Sequence, residues 1–436
     1  MDSHFTIAAA IFLVSFLAIV FDLGSKALIS MSGALLMVVF GILTFPQAVA
    51  AIDLDTIGLL VGMMLMVDVV SDSGIFSLMS VKIAKFTKGK PWLIFVMFAL
   101  ITAVCSTFLN NVSVILVILP VVIALTRGIG LNPKVFVIAT IFFSIIGGTL
   151  TLIGDPTNVI IGTSVGLGFD DFVANLYIPI SIIAVVVGTI FLAINWGTLK
   201  PISHSLKQLF VSNLLLQKIE YEFTKTEISK ALIAKIIVVF TLVLLGFVFG
   251  DRIGLNSSVV ALIGAMLLFI VTTKNSSIDQ SLSKAEWTTI LFFVGLFIMV
   301  AGLEEAGVLT IIGNEFIGIT DNFLYLLLIL LWLTGIASMV VDNVAFATMM
   351  IPIVMQVQTS LPAGGPDHQL LWWAMVLGAC LGGCGSPIGS SANVVALGIA
   401  AKNDCKISSF EYVRIAFPIT ILMLVICSLY FIVLLS

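Results

Sequence analysis

Apolar runs follow one another along the chain, and most of the polar stretches between them are short. A helix that crosses a bilayer needs about 20 apolar residues, and several of the runs fall short of that length. The short runs flank four polar interruptions, as is typical of segments that break within the membrane or enter it without crossing. The pattern predicts an all-α membrane protein that combines full spans with re-entrant hairpins and broken helices.

The first two interruptions carry the polar chemistry of the first half of the chain. Residues 106–114 read STFLNNVSV, and residues 147–158 read GGTLTLIGDPTN. Amide, hydroxyl and carboxylate groups are expensive in hydrocarbon, so we expect a structural or functional reason for them. An interruption that contains Gly and Pro indicates a broken helix whose freed backbone groups line a cavity.

The same pair of interruptions occurs again in the second half. Residues 341–352 (VDNVAFATMMIP) match residues 109–120 (LNNVSVILVILP) in register. Residues 382–393 (GGCGSPIGSSAN) match residues 147–158, with the glycine pair and the final asparagine aligned. Interrupted segments at corresponding positions of two halves are a sequence signal for the binding site of a transporter.

This repetition divides the chain into two predicted units and a connector. Residues 1–196 form the first repeat, residues 231–436 the second, and the lysine-rich stretch 197–230 is the linker. Residues 76–90 and 304–316 are predicted interfacial helices that lead into the two hairpins.

The basic residues predict how the repeats are oriented. If the second repeat is inverted relative to the first, nearly all lysines and arginines, and the linker, fall on one side of the membrane. Positive charge marks cytoplasmic loops, so we expect these loops and the linker in the cytoplasm and both termini outside. The membrane expected is a prokaryotic plasma membrane.

Composition narrows the function to transport. Of the 436 residues, 60% are hydrophobic and only 10% are charged, with a mean hydropathy of +1.25, whereas soluble domains carry about 25% charge. The sequence contains no HExxH motif and no nucleotide-binding loop. We therefore expect a transporter driven by ion gradients, not an enzyme, with no cofactor beyond Na⁺ and H⁺ as coupling ions. The expected partners are the lipid bilayer and a small inorganic ion, with no nucleic acid.

Oxygen-bearing side chains occur in all four interruptions. Amide and hydroxyl oxygens suit Na⁺, a hard cation, but they could also bind an oxyanion or neutral arsenite. The candidate binding residues are Asn110, Asn111, Ser113, Thr151, Asp155, Asn158, Asp342, Asn343, Ser386, Ser390 and Asn393.

Two carboxylates discriminate between these cargoes. Asp155 lies in the first helix break and Asp342 at the second hairpin tip, while the four motifs contain no lysine or arginine. A carboxylate opposes a dianion and favours a cation or a proton. One carboxylate that holds either Na⁺ or H⁺ would give exchange by competition. The predicted Na⁺ ligands are Asn111, Asp155, Asp342 and Asn343.

Structural roles for the same residues stay open. Asp155 followed by Pro156 is also the pattern of a helix cap, whereas no cap-and-proline pattern accounts for Asp342. The glycine pairs suit close helix packing. The asparagines could satisfy each other across the two hairpins.

Taken together, the motifs resemble the ArsB/NhaD family of the ion transporter superfamily. That family includes arsenite permeases, NhaD-type sodium/proton antiporters and the melanosomal P protein. The sequences IGDPTN (153–158) and IGSSANVV (388–395) look like the NhaD/P-protein branch. Thr157 and Cys384 depart from it, because proline and asparagine are common at those positions. The resemblance implies inverted repeats with two hairpins and two broken helices, a homodimer, and elevator-like movement.

The leading hypothesis is therefore a Na⁺(Li⁺)/H⁺ antiporter. The alternatives are an arsenite or antimonite efflux permease, which could work with a separate ATPase, and a Na⁺-coupled anion transporter. An anion channel on the same scaffold is a third hypothesis.

Overall fold

The structure is a computed structural model, and it covers most of the predicted membrane segments. It describes residues 3–21, 23–73, 90–199, 230–250, 254–272, 286–317, 322–361 and 367–436, with isolated positions between these ranges. Residues 200–229, which make up most of the predicted linker, lie outside the described residues, as does most of the predicted interfacial helix 76–90.

The described residues form helices and no strands, as predicted. The first half contains α1 (Ser3–Val20), α2 (Lys26–Val39), α3 (Phe45–Ala50), α4 (Leu54–Asp72), α5 (Pro91–Phe108), α6 (Asn111–Gly128), α7 (Pro133–Thr149), α8 (Pro156–Val165), α9 (Phe169–Ile194) and α10 (Trp196–Leu199). The second half contains α11 (Lys230–Phe249), α12 (Ser257–Thr272), α13 (Trp287–Glu305), α14 (Val308–Ile317), α15 (Phe323–Val340), α16 (Asn343–Ser360), α17 (Leu370–Gly382), α18 (Ser391–Lys402) and α19 (Ser409–Leu435).

Length and apolar composition make this a multi-pass membrane protein. Within the part of the chain that is described, 8 helices are long and apolar enough to cross a bilayer. The shorter apolar helices include α7, α17 and α18, which lie on either side of the helix breaks. α14 (Val308–Ile317) covers most of the second predicted interfacial helix.

Two helical hairpins stand at the places where the asparagine-containing motifs predicted them. α5 and α6 are joined through Asn110, whose side chain accepts a hydrogen bond from the Val112 N–H at 2.9 Å. α15 and α16 are joined through Asp342, which accepts from the Val344 N–H at 3.1 Å. An amide or carboxylate oxygen at this position satisfies one of the unpaired donors at a helix start. Each tip residue therefore begins the second helix of its hairpin.

Two broken helices follow the hairpins. α7 ends at Thr149 and α8 begins at Pro156, while α17 ends at Gly382 and continues as a short 3-10 turn before α18 begins at Ser391. Proline at the first helical position of α8 has no N–H to leave unpaired. The structure thus confirms the predicted fold class.

Glycines allow these helices to touch through their backbones. A Cβ atom on Gly147 would lie 2.1 Å from the Ala103 carbonyl oxygen, so α7 and α5 are in backbone contact. In the second repeat, a Cβ on Gly382 would lie 2.3 Å from the Gly335 carbonyl oxygen, which places α17 against α15 in the same way. Small residues at membrane helix interfaces serve this close approach.

The remaining long helices pair across the repeats. α2 packs on α13 and α4 packs on α12, with α1 and α11 beside them. Gly62 and Gly295, which occupy corresponding positions of the two repeats, make equivalent contacts. A Cβ on Gly295 would meet the Ser30 backbone at 2.5 Å, and one on Gly62 the Ala261 backbone at 2.7 Å. We call α1–α4 with α11–α13 the frame, and α5–α9 with α15–α19 the hairpin body.

Within the hairpin body, the two repeats interlock. α6 of the first hairpin packs on α18, the half-helix of the second repeat. α16 of the second hairpin packs on α8, the half-helix of the first repeat. Each hairpin therefore reaches the helix break of the opposite repeat, which brings all four motifs to one place.

Gly147→Ala should destabilise the protein by about 1–3 kcal/mol, because the new methyl group would overpack against backbone that cannot rotate away. The measurement is thermal unfolding of the purified protein in detergent, where the melting temperature should fall by several degrees. Gly398→Ala is the matched control, since this helical glycine has open space around its Cβ position. An unchanged melting temperature for Gly147→Ala would contradict the backbone contact.

Candidate functional site

Asp155 is the point at which both hairpins and the first helix break meet. Its side chain is buried, with 1% of the residue exposed. Oδ2 accepts a hydrogen bond from Asn111 Nδ2 at 2.7 Å. Oδ1 accepts from the Thr157 N–H at 2.9 Å and from Asn343 Nδ2 at 3.4 Å. The carboxylate thus takes one amide from each hairpin tip and one backbone donor from its own helix.

This arrangement has neutral donors around a buried acid. Among the described residues, no lysine or arginine forms an ion pair with Asp155; the two ion pairs there involve other residues. A buried carboxylate without a cationic partner is costly when it is charged. The site is therefore suited to taking up a proton or a metal cation.

The structure bears on two structural roles that the sequence left open: capping by Asp155, and pairing of the hairpin asparagines with each other. Asp155 does cap α8, through its bond to the Thr157 N–H. It also receives the two hairpin amides, so capping and a place in the polar centre occur together. Asn111 and Asn343 were candidates for satisfying each other, but both donate to Asp155 instead.

Asn158 holds the first helix break together. Its Nδ2 donates to the carbonyl oxygens of Gly148, Thr149 and Thr151 at 3.2, 3.1 and 2.8 Å. These carbonyls have lost their helical partners at the end of α7, and in a membrane they need a donor from the protein. Asn158 therefore has a structural role that any ligand contact would have to share.

Asn393 does the same in the second break, with one difference. Its Nδ2 donates to the carbonyls of Gly383 and Ser386, both at 2.7 Å. The Asn158 Oδ1 atom accepts from the Cys380 thiol at 3.1 Å. The equivalent oxygen of Asn393 is buried and has no hydrogen-bond partner among the described residues.

The predicted hydroxyl residues have mainly local partners. Thr151 Oγ1 donates to the Thr107 carbonyl oxygen. Ser390 caps α18, and Ser386 accepts from two backbone N–H groups of its own loop. Ser113 is half-buried within α6.

Asp342 has a different environment from Asp155. Its Oδ2 accepts from Lys26 Nζ at 2.8 Å, and 11% of its side chain is exposed. Its Oδ1 accepts from the Val344 N–H, so Asp342 also caps α16. The sequence has no cap-and-proline pattern here; the structural role left open for Asp342 is present because the hairpin turn places the carboxylate at a helix start without a proline.

Lys26 is the functional candidate that sequence reasoning missed. The four motifs contain no basic residue, but Lys26 opens α2 in the frame and reaches the tip of the second hairpin. The two residues lie 316 positions apart in the chain. No local pattern marks such a pair, because it depends on how the frame packs against the hairpin body.

A cavity of about 450 Å³ lies between the frame and the hairpin body. Asn110 and Asp342 line it from the hairpin tips, Ser391 from the second break, and Lys26 and Glu286 from the frame. The residue next to Asp155 in the chain, a proline, also lines it. The cavity therefore borders the centre where the four motifs meet, although Asp155 itself does not line it.

Of the four predicted Na⁺ ligands, three share hydrogen bonds and one stands apart. Asn111, Asp155 and Asn343 form the buried centre. Asp342 lies at the cavity wall with Lys26. Within the described residues, no cluster of three or more His, Cys, Asp or Glu side chains suits a metal ion, so any cation here would need amide or carbonyl oxygens beside the Asp155 carboxylate.

Comparisons of this chain with known proteins agree with its interpretation as a transporter. A family model described as "CitMHS: Citrate transporter" matches residues 16–378. An "uncharacterized transporter" of Mycobacterium bovis is 32% identical over 97% of this chain and 97% of that protein. The human P protein is 29% identical over 97% of this chain, which spans 59% of the P protein's length.

A solved structure supports the fold. The Alcanivorax borkumensis YdaH transporter, described as having an unusual topology, aligns with a TM-score of 0.56 at 14% identity. The alignment covers 86% of this chain and 84% of that one. From the family match and the full-length relatives, the chain belongs to the CitMHS citrate transporter family and is a multi-pass membrane transporter.

Proposed function

We propose that this transporter exchanges Na⁺ or Li⁺ for H⁺, as an antiporter of the NhaD/P-protein type. The observation that carries the proposal is Asp155, a buried carboxylate that accepts hydrogen bonds only from neutral groups among the described residues. Such a group is stabilised by one bound cation or by one proton, and it cannot hold both. Competition for the same two oxygens is sufficient for exchange.

The two hairpin amides make the site adaptable. Asn111 and Asn343 present Nδ2 to the carboxylate, as suits its charged form without a metal ion. A half-turn of either amide would present Oδ1 instead, because the two ends of the group have nearly the same shape. For Asn111 the turn gives up the bond that Oδ1 accepts from the Val112 N–H, a donor that Asn110 Oδ1 also satisfies. Na⁺ would then have oxygens from Asp155 and both asparagines, one from each hairpin and one from the first break.

The charge of the cavity favours entry of a cation. Asp342 and Glu286 contribute two carboxylates to the lining, and Lys26 contributes one ammonium group. Like-signed residues in a cleft raise the local concentration of oppositely charged ions. Lys26 lines the cavity and is one of the basic residues that fall on the predicted cytoplasmic side. Under the predicted orientation, the cavity therefore opens to the cytoplasm.

The division into two bodies fits transport by an elevator-like movement. The hairpin body carries Asp155 and all four motifs, and the frame contributes Lys26 and Glu286 from outside. Movement of the hairpin body along the frame, in a homodimer as the family resemblance implies, would carry the bound ion from one face to the other.

Asp155→Asn should abolish exchange while leaving the protein folded, because the amide keeps the shape of the side chain but cannot bind Na⁺ and H⁺ in turn. The measurement uses liposomes with an imposed pH gradient and an internal pH-sensitive dye, to which Na⁺, Li⁺ or K⁺ is added. Na⁺ or Li⁺ should dequench the dye with the wild type, and the mutant should match protein-free liposomes. Elution as a single peak in size-exclusion chromatography checks the fold.

Asp404→Asn is the control for that experiment. Asp404 is an exposed carboxylate in a loop with a positive φ of 49°, a conformation that asparagine accepts. Its exchange should equal that of the wild type. Full exchange by both Asp155→Asn and Asp342→Asn would rule out the antiport proposal.

A second candidate is cation-coupled transport of a carboxylate anion such as citrate. The observation that favours it is Lys26, an ammonium group in a cavity large enough for a small organic acid. The family model that matches this chain is described as a citrate transporter. In this case Asp155 would bind the coupling ion, and Lys26 would leave Asp342 to pair with the substrate.

Uptake of radiolabelled citrate into the same liposomes separates the candidates. Carboxylate transport predicts citrate accumulation driven by a Na⁺ or H⁺ gradient, and Lys26→Gln should raise the KM for citrate because it removes the counter-charge. Antiport predicts cation-dependent proton movement in the absence of citrate and no citrate accumulation.

A further inference from the structure

The ion pair between Lys26 and Asp342 joins the two bodies of the transporter. Lys26 belongs to the frame, and Asp342 belongs to the tip of the second hairpin. The other ion pair among the described residues, Lys134 with Glu411, lies within the hairpin body, between the starts of α7 and α19. Only the first of these pairs must break if the hairpin body moves along the frame.

Each oxygen of Asp342 accepts a hydrogen bond from a different donor. Oδ2 accepts from Lys26 Nζ at 2.8 Å, and Oδ1 accepts from the Val344 N–H at 3.1 Å. The N–H belongs to the hairpin and moves with Asp342, whereas the ammonium group does not. A cation that reaches Asp342 from the cavity therefore meets a positive charge already bound at Oδ2.

Exposure shows that replacement of Lys26 by such a cation is feasible. The Lys26 side chain is 39% exposed and that of Asp342 is 11% exposed, so the ammonium group keeps part of its contact with water. Half-exposed pairs stabilise a structure only modestly. The ammonium group could leave Asp342 for the open side of the cavity, where Glu286 contributes a second carboxylate.

We propose that Lys26 is a tethered competitor for the cation that binds Asp342, and that it holds the hairpin body in the present position until that cation arrives. This inference rests on the proposed cation transport and adds a residue that controls it. Lys26 sets the cation concentration at which Asp342 is released from the frame. It is a positioning residue, since it acts through Asp342 and does not itself bind the transported ion.

Two consequences follow for a protein without the ammonium group. The cation no longer has to displace Lys26, so it binds at lower concentration. The frame also loses one contact that favours the present position, so the population shifts toward other positions of the hairpin body. A lysine with a purely structural role would produce neither effect.

The test compares Na⁺-driven proton movement in liposomes for Lys26→Gln, Lys26→Arg and Lys134→Gln. Lys26→Gln should lower the KM for Na⁺ by about threefold or more, while Lys26→Arg should stay close to the wild type because it keeps the charge. Lys134→Gln removes a lysine from an ion pair inside one body and should leave the KM unchanged. A wild-type KM for Lys26→Gln would overturn the proposal.

A second readout does not depend on the cargo. Val395→Cys places a thiol at a half-buried position of the cavity wall on the hairpin body, and its labelling by a water-soluble maleimide is compared with and without Lys26→Gln. Loss of the ion pair should slow labelling by about twofold or more, because the position that opens this cavity is less populated.

The two readouts separate failure of this inference from failure of the antiport proposal. Exchange by the wild type with an unchanged KM in Lys26→Gln leaves antiport standing and rejects the role of Lys26. If the wild type moves no cation, antiport is rejected and the labelling rate decides whether the ion pair holds the two bodies. A raised citrate KM in Lys26→Gln would make Lys26 a substrate ligand and overturn the tethered competitor.

Discussion

The structure depends on one constraint, which is that backbone groups freed by a helix break inside a membrane must find partners within the protein. Asn158 and Asn393 meet this need by donating from each half-helix back across its own break. The donors at the half-helix starts are met by the side chains of Asp155 and Ser390. A polar centre is thus required for the broken helices to exist at all, and the same groups become available to an ion. Structural and functional roles are therefore not competing explanations for these residues.

The two repeats supply the same architecture with different charges. Asp155 in the first break corresponds to Ser390 in the second, and Asn110 at the first hairpin tip corresponds to Asp342 at the second. Each repeat therefore contributes one carboxylate, but at a different kind of position. The interlocked packing of α6 on α18 and of α16 on α8 brings these unequal contributions into one centre. Symmetry in the fold produces an asymmetric site, with one acid among neutral donors and one acid paired with a lysine.

The hairpins, the breaks and the internal repeat could be predicted from the sequence because each leaves a local trace. Asp155 before a proline indicates a helix start, and polar residues in apolar sequence mark where a membrane helix stops. The contacts between repeats leave no such trace. The convergence of Asn111 and Asn343 on Asp155, and the reach of Lys26 to Asp342, depend on packing between segments distant in the chain. A lysine at the start of a membrane helix ordinarily lies beside a solvent-exposed loop. Only the tertiary structure places Lys26, the first residue of α2, in the candidate site.

The difference in burial between Asp155 and Asp342 suits the two acids to different roles in the proposed transport. A buried carboxylate among neutral donors is costly when it is charged, and a bound proton or cation removes that cost. In the proposed exchange, Asp155 is therefore the acid that would take up H⁺ and the cation in turn. Asp342 lies at a cavity wall, partly exposed and paired with Lys26, so its charge already has a partner in the protein. Its partner is fixed to the frame, which makes the state of Asp342 depend on the position of the hairpin body. In the proposed exchange, Asp155 would bind the coupling ion, and Asp342 would link occupancy of the cavity to movement.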